Sequence, residues 1–209
     1  MVRKLRLVTG LILFTYITLH FINHMAGLWS LAAMDATRNV LHAPWYTPVG
    51  TGVLYGAMFI HACLAFYALY QRRRLRIPFD EGLQLLLGLS VPLLLIGHVL
   101  GTRAAATLFD TQVSYITVLA ALWHVDPWNG VRQIAVLFAA WVHGGLGIYH
   151  WLHLKPWYRN WQPVLFALAL LIPALALMGF LQGSKAMLAL ATDPAWFAEF
   201  KIRARLPDV

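Results

Sequence analysis

The chain has a single cysteine, Cys63. One thiol cannot close a disulfide within the chain, form a CxxC motif or supply the thiolates of an iron–sulfur cluster. Charge is scarce as well. Charged residues make up 11% of the 209 positions, against about 25% in a soluble domain. Only eight residues are acidic: Asp35, Asp80, Glu81, Asp110, Asp126, Asp193, Glu199 and Asp208. None of them falls inside a long apolar run. That excludes a carboxylate proton relay, paired-carboxylate hydrolysis and a carboxylate-bound metal at membrane depth. The sequence offers no Gly-rich phosphate loop, no Ser/His/Asp arrangement, no repeat and no low-complexity tract.

What fills the chain instead is apolar, with 60% of its residues hydrophobic. A membrane span needs about 20 mostly apolar residues. Five segments qualify: roughly Leu7–Ala32, Thr51–Tyr70, Leu83–Leu108, Val131–Leu154 and Pro163–Leu181. The expected fold class is all-α, a polytopic membrane helix bundle of five transmembrane helices with short interfacial helices. Met1–Arg6 is basic, but the apolar run behind it is too long for a signal peptide and lacks a small-residue cleavage site. It therefore reads as the first span. Tyr115–Val125 is apolar but too short to cross, and reads as an interfacial or re-entrant helix. Trp45, Tyr46, Trp123, Trp128, Trp157, Tyr158 and Trp161 fall at span ends, as an aromatic belt does.

The net charge is +8. The basic residues sit at span ends, so the partner they imply is anionic membrane lipid and not nucleic acid. Arg3, Lys4 and Arg6 precede span one, Arg72, Arg73, Arg74 and Arg76 follow span two, and Lys155 and Arg159 follow span four. Arg38, Arg103 and Arg132 on the other side are diluted by Asp35, Asp110 and Asp126. The excess places the N-terminus in the cytoplasm, and five spans then put the C-terminus outside. Residues 1–183 form the expected transmembrane domain. Residues 184–209 form a short amphipathic segment leading to an output region, with Asp193 as helix cap and Pro194 in the first turn.

The first four spans each carry buried-depth histidine: His20 with His24, then His61, His98 and His143. Ionisable groups inside a span face the bundle and point to function. Helical rise gives their depth. His61, 13 residues before Arg74, lies about 20 Å from the basic boundary, and His143, 12 residues before Lys155, lies about 18 Å from it. His20, His24 and His98 lie deeper, at about 21, 27 and 26 Å. Two imidazole pairs stacked in a bundle suit two bis-histidine haems, since haem iron takes imidazole as axial ligand. Ala57 and Ala65 flank His61, Ala139 and Gly147 flank His143, and Gly97 and Gly101 bracket His98, where a flat porphyrin needs room. The competing readings are interhelical hydrogen bonds from neutral imidazoles, and small residues that merely pack helices, as at Gly52–Gly56. His20-x3-His24 and His150-x2-His153 also resemble fragments of the histidine boxes of membrane di-iron enzymes. The deep histidines are too dispersed for that site. His42 and His124 lie in loops and are assigned nothing.

The stretches TGLILFTYITLH (Thr9–His20), FIHACLAF (Phe59–Phe66), LIGHVLG (Leu95–Gly101) and VHGGLGIY (Val142–Tyr149) resemble the diheme cytochrome b membrane anchors of succinate dehydrogenase and fumarate reductase. The resemblance covers about Val8–Leu181. It implies two haem b groups, with His20 and His98 as iron ligands of the outer one and His61 and His143 of the inner one. His24, one turn from His20, and His150 become candidates for contact with a propionate or a quinone. RLVTGLILFTYITLHFINHMAGLWSLAAMDATR, GTGVLYGAMFIHACLAFYALYQRRRLRIP and HWLHLKPWYRNW look most like the membrane domain of bacterial class III adenylate cyclases with a quinone-responsive diheme anchor. This implies electron exchange with quinone in the bacterial inner membrane, and redox input to cytoplasmic ferredoxin-like and cyclase domains. The rival is the respiratory anchor, docked to flavoprotein and iron–sulfur subunits. In either case the chain has no catalytic site of its own, and it works alone or as a homodimer. The chain departs from the cyclase family in holding neither a cyclase nor a ferredoxin module. That family's domain has six helices, which implies a sixth span beyond Val209.

Overall fold

The computed structural model describes residues 1–72, 77–109 and 113–204. Arg73, Arg74, Arg76, Asp110 and Asp208, used above for orientation and composition, lie outside them. The described residues are overwhelmingly helical and contain no strand. Five helices are long and apolar enough to cross a membrane. They are α1 (Val2–Met25), α4 (Pro48–Tyr70), α5 (Phe79–Val99), α8 (Pro127–Leu152) and α9 (Tyr158–Leu190). Shorter helices fill two of the connections: α2 (Leu31–Leu41) and α3 (Ala43–Tyr46) after α1, and α6 (Ala105–Phe109) and α7 (Tyr115–Ala120) after α5. A last helix, α10 (Pro194–Ala204), follows α9.

Several helices, though not α1, α5 or α9, start by one local rule. An oxygen-bearing side chain accepts a bond from a first-turn N–H, and proline often comes next, where its missing N–H costs nothing. Thr47 accepts from Gly50 N at 3.0 Å before Pro48. Asp126 accepts from Trp128 N at 3.1 Å before Pro127. Asp193 accepts from Ala195 N at 2.9 Å ahead of Pro194, as expected for that segment. Ser114 caps α7 in a reciprocal box with Thr117. Every span begins a few residues before its expected start, and two of the ends differ with consequence. Span one stops at Leu28, because Ser30 caps α2 by accepting from Ala33 N at 3.0 Å. Span five runs unbroken to Leu190, so the segment expected to start at residue 184 begins inside α9.

Helix α1 is central. It packs against α4 on one side and α9 on the other, while α5 packs along α8. Phe21, Leu137, Trp141 and Ala176 form a buried cluster that ties α1, α8 and α9 together. Trp141 Nε1 donates to Ala169 O at 2.8 Å across it. The chain at the end of α1 comes very close to α9. A Cβ added to Gly27 would lie 2.1 Å from the Gly179 carbonyl oxygen, and one on Gly179 would lie 2.1 Å from that of His24. Gly183, one turn on, meets Met34. Gly179 and Gly183 are thus the small-residue contact that lets backbones touch. Gly52 and Gly56, the pair that stood out in the sequence, face open space.

Two ends of the bundle differ. The basic end carries Arg3, Lys4, Arg6 and Arg72, with Arg72 paired to Glu81 at 2.8 Å. The other end is capped by α2, α3 and α7. Leu119 and Ala120 of α7 pack into Phe180 and Met187 of α9, so the short apolar helix lies against the bundle. Three polar links hold the cap. Asp35 accepts from Tyr115 N at 3.1 Å, Arg38 donates to Val113 O at 2.7 Å, and the buried Asn23 of α1 donates to the Tyr115 hydroxyl.

Candidate histidine-pair site

Between the α1–α4 and α5–α8 pairs lies a cavity of about 1570 Å³. Single-ligand pockets run to about 1000 Å³, so this one has room for more than one small cofactor. All four span histidines singled out by sequence, His20, His61, His98 and His143, line it, and so do His24 and His150. The fifth span, α9, contributes only Phe180. Most of the wall is apolar: Leu13, Phe14, Ile17, Leu54, Leu89 and Leu137 are among its residues.

The histidines meet in two facing pairs. His61 of α4 and His143 of α8 have ring centres 6.2 Å apart. His20 of α1 and His98 of α5 are 5.8 Å apart. Two imidazoles that bind one metal, each through a nitrogen about 2 Å from it, have ring centres roughly 6 Å apart. Both pairs meet that spacing. Among the described residues there is no group of three or more His, Cys, Asp or Glu arranged to hold a metal ion. His150 and His153 share one helix end and do not face each other across the cavity. His153 Nδ1 lies 2.8 Å from Tyr149 O, and His150 Nε2 is 3.7 Å from Asp80 at the basic mouth.

At the basic end the ring protons are assigned by chemistry. His143 Nδ1 lies 2.8 Å from Gln84 O. A carbonyl only accepts, so Nδ1 carries the hydrogen and Nε2 keeps its lone pair. His61 Nδ1 lies 3.1 Å from Thr9 Oγ1. The Thr9 hydroxyl proton is directed to the Leu5 and Arg6 carbonyls at 2.9 and 3.1 Å, so Oγ1 accepts from His61. Both Nε2 atoms are thereby free to act as ligands.

Glycine makes these bonds reachable. A Cβ on Gly88, one turn after Gln84, would lie 2.5 Å from His143 Cε1. A Cβ on Gly10, next to Thr9, would lie 3.1 Å from His61 Cε1. The small residues read from the sequence divide differently. Ala65 and Gly147 line the cavity. Ala57 and Ala139 are buried elsewhere in the packing, Gly97 meets the Arg132 guanidinium, and Gly101 meets nothing within 4 Å. The glycines against the rings come from the opposite helices, and sequence spacing along the ligand's own helix does not reveal them.

The capped end is built from rings. His20 stacks on Tyr16 at 6.0 Å and on His42 at 5.2 Å, and meets His24 edge-on at 4.6 Å. Face-to-face stacking leaves His42 beside His20, not across a shared ligand position from it. His42, assigned nothing in the sequence reading, is only 2% exposed. Burial first, and the Arg38 guanidinium next, push it down to about 4, so it is neutral at ordinary pH. Burial likewise raises Tyr115 and keeps its hydroxyl protonated. A second pocket of about 270 Å³, lined by Tyr16, His24, His42, Tyr46, Arg103 and Tyr115 among others, continues from this end. Among the described residues, no group bonds to Nδ1 of His20 or of His98. Among the described residues, the second ring nitrogen thus has a hydrogen-bond partner in the basic-end pair only. His124 packs against Phe197 of α10, 4.1 Å between ring centres, and does not line the cavity.

The fold and the cavity define an all-α bundle with five helices able to cross a membrane and two histidine pairs between four of them. No family model, curated protein or solved structure matches the chain.

Proposed function

We propose that this chain is a diheme b-type membrane domain that exchanges single electrons with quinone. The observation that carries the reading is the facing of His61 with His143 and of His20 with His98 at about 6 Å, across a cavity bounded by four helices. When bound, haem would supply one-electron chemistry, with the imidazoles of the two pairs as iron ligands. The chain's residues do the rest. The four histidines hold the iron. Thr9 and the Gln84 carbonyl keep the proton on Nδ1 of His61 and His143. The Leu and Phe side chains of the wall keep water out. Arg103 at the capped end and Arg3 and Arg6 at the basic end offer counter-charge to porphyrin carboxylates.

The resemblance to cyclase anchors makes the proposed role that of a redox sensor in the bacterial inner membrane, with the N-terminus in the cytoplasm. In that role the four histidine-bearing helices would couple redox input at the two pairs to an attached adenylate cyclase through their packing. The respiratory anchor reading shares the same site and differs in partners. Adjacent flavoprotein and iron–sulfur genes would favour it over the sensor.

The test is a reduced-minus-oxidised spectrum with haem quantitation on purified protein. Two b-type haems per chain are expected, falling to one when His61 or His143 is changed to Leu, and likewise when His20 or His98 is changed. Colourless protein expressed with ample haem would overturn the reading, and the histidines would revert to helix-packing residues.

A further inference from the structure

The four helices around the cavity are not joined evenly. Among the five long helices, α4 packs substantially only on α1, and α5 only on α8. Helices α1 and α8 meet each other and α9, and the buried cluster of Phe21, Leu137, Trp141 and Ala176 seals that side. Helices α4 and α5 follow one another in the chain, yet they share no substantial packing. They are fastened at two places. Arg72, just after α4, pairs with Glu81 at 2.8 Å, and Arg103, just after α5, donates to the Thr51 hydroxyl at 2.8 Å. From Thr51 to Arg72 the helix rises about 30 Å, the thickness of the hydrocarbon core. The wall shows the same asymmetry. Phe21, Leu137 and Ala140, of α1 and α8, are buried. Met58 and Phe66 of α4 and Leu93 of α5 also line the cavity, yet they are 39%, 58% and 76% exposed. The cavity therefore reaches the outer face of the bundle through a slot between α4 and α5.

Resting on the diheme reading, we propose that this slot is a lateral portal, through which the haem of the capped-end pair enters from the bilayer. The other ways in are taken or closed. Thr9 and Gln84 mark the level of the basic-end pair, and His20 and His98 lie about 16 and 21 Å farther along α1 and α5. A plate that enters at the basic mouth meets His61 and His143 first and is held there. The cap of α2, α3 and α7 covers the opposite end, fixed by the Asp35, Arg38 and Asn23 links. The side of α1, α8 and α9 is sealed by their packing. The slot is what remains. A porphyrin is flat and apolar over most of its surface. It passes edge-on between Met58, Phe66 and Leu93 without bringing a buried charge to be desolvated. Among the described residues, no hydrogen bond joins α4 to α5 between the two fastenings. Parting the helices there costs only side-chain contacts.

The experiment follows haem uptake by the full chain, expressed without haem and placed in nanodiscs of phosphatidylcholine and phosphatidylglycerol. The readout is the rise of the Soret band after hemin is added. H61L reports the capped-end pair alone, and H98L the basic-end pair alone. Cys63 is exposed, so C63S clears the chain of its native thiol for M58C/L93C, joined across the slot by a flexible bismaleimide. A link made before hemin is added is expected to slow capped-end uptake about tenfold or more and to leave basic-end uptake unchanged. M58A/L93A, which widens the slot, is expected to speed capped-end uptake. If no link forms, M58W/L93W decides by narrowing the slot from both sides: slower capped-end uptake supports the portal, and an unchanged rate overturns it. Capped-end uptake at the unlinked rate in linked protein, or a link that slows both pairs equally, would overturn the portal and leave the diheme reading standing. Wild-type protein that takes up no haem would overturn both.

Discussion

The basic and capped halves of the cavity solve the same problem, holding two imidazoles roughly 6 Å apart, by different means. At the basic end each ring lies on a glycine of the opposite helix and is tethered through Nδ1. At the capped end the rings are wedged among other rings: His20 touches Tyr16, His24 and His42. A tethered ring is fixed by direction and is sensitive to single atoms. A wedged ring is fixed by shape, and its position depends on how well the cap above it is seated.

This contrast can be broken most directly at Gly88. G88A places a methyl 2.5 Å from the His143 ring, which must leave the Gln84 carbonyl. A loss of basic-end haem affinity of about 10–100-fold is expected, read as haem content near one per chain. G97A is the control. Its methyl meets the mobile end of Arg132, and haem content should stay at two. An equal loss in both variants would mean that the ring has no special dependence on its glycine.

The frame that seats the cap is tested at Gly179. G179A drives a methyl into the His24 carbonyl, and overpacking of this kind costs about 1–3 kcal/mol or more. The thermal midpoint of the detergent-solubilised protein should fall, with the capped-end haem lost before the basic-end one. Y115F should be milder. It removes the acceptor of the buried Asn23 amide and costs about 1–3 kcal/mol, again read in the midpoint. Smallest of all is G101A, where nothing stands within 4 Å. A change within about 0.5 kcal/mol is expected, although Gly101 lies in a π-helical turn, Leu100–Ala104. A large effect there would assign that turn a packing role that its surroundings do not suggest.

Much of the fold was legible in sequence, because each span declares itself by about twenty apolar residues and several helix starts by a cap. Thr47-Pro48, Asp126-Pro127 and Asp193-Pro194 mark helix starts through chemistry confined to neighbouring residues. The four span histidines were equally plain, since ionisable side chains are rare at that depth. What escaped depends on register between helices. Gly88 matters because of where α8 places His143, and Gly179 because of where α1 ends. Neither follows from periodicity along one helix. His42 escaped for a related reason. It follows α2 in a connection that by composition reads as surface, yet the cap folds it onto His20. Tyr115–Val125 is legible as too short to span, but its burial against Phe180 and Met187 is a tertiary fact.

Helix α1 touches both halves. Thr9 and Gly10 serve the basic-end pair, and His20 and Asn23 serve the capped end. Between Thr9 and His20 the helix runs without a proline or a break, a length of about 16 Å at 1.5 Å per residue. A rod of that length does not stretch. Any axial slide that draws His20 away from His98 carries Thr9 the same distance past His61, and a bond of 3.1 Å does not survive a slide of one residue. The two halves, different in how they grip their rings, are geared to each other through a single stiff shaft.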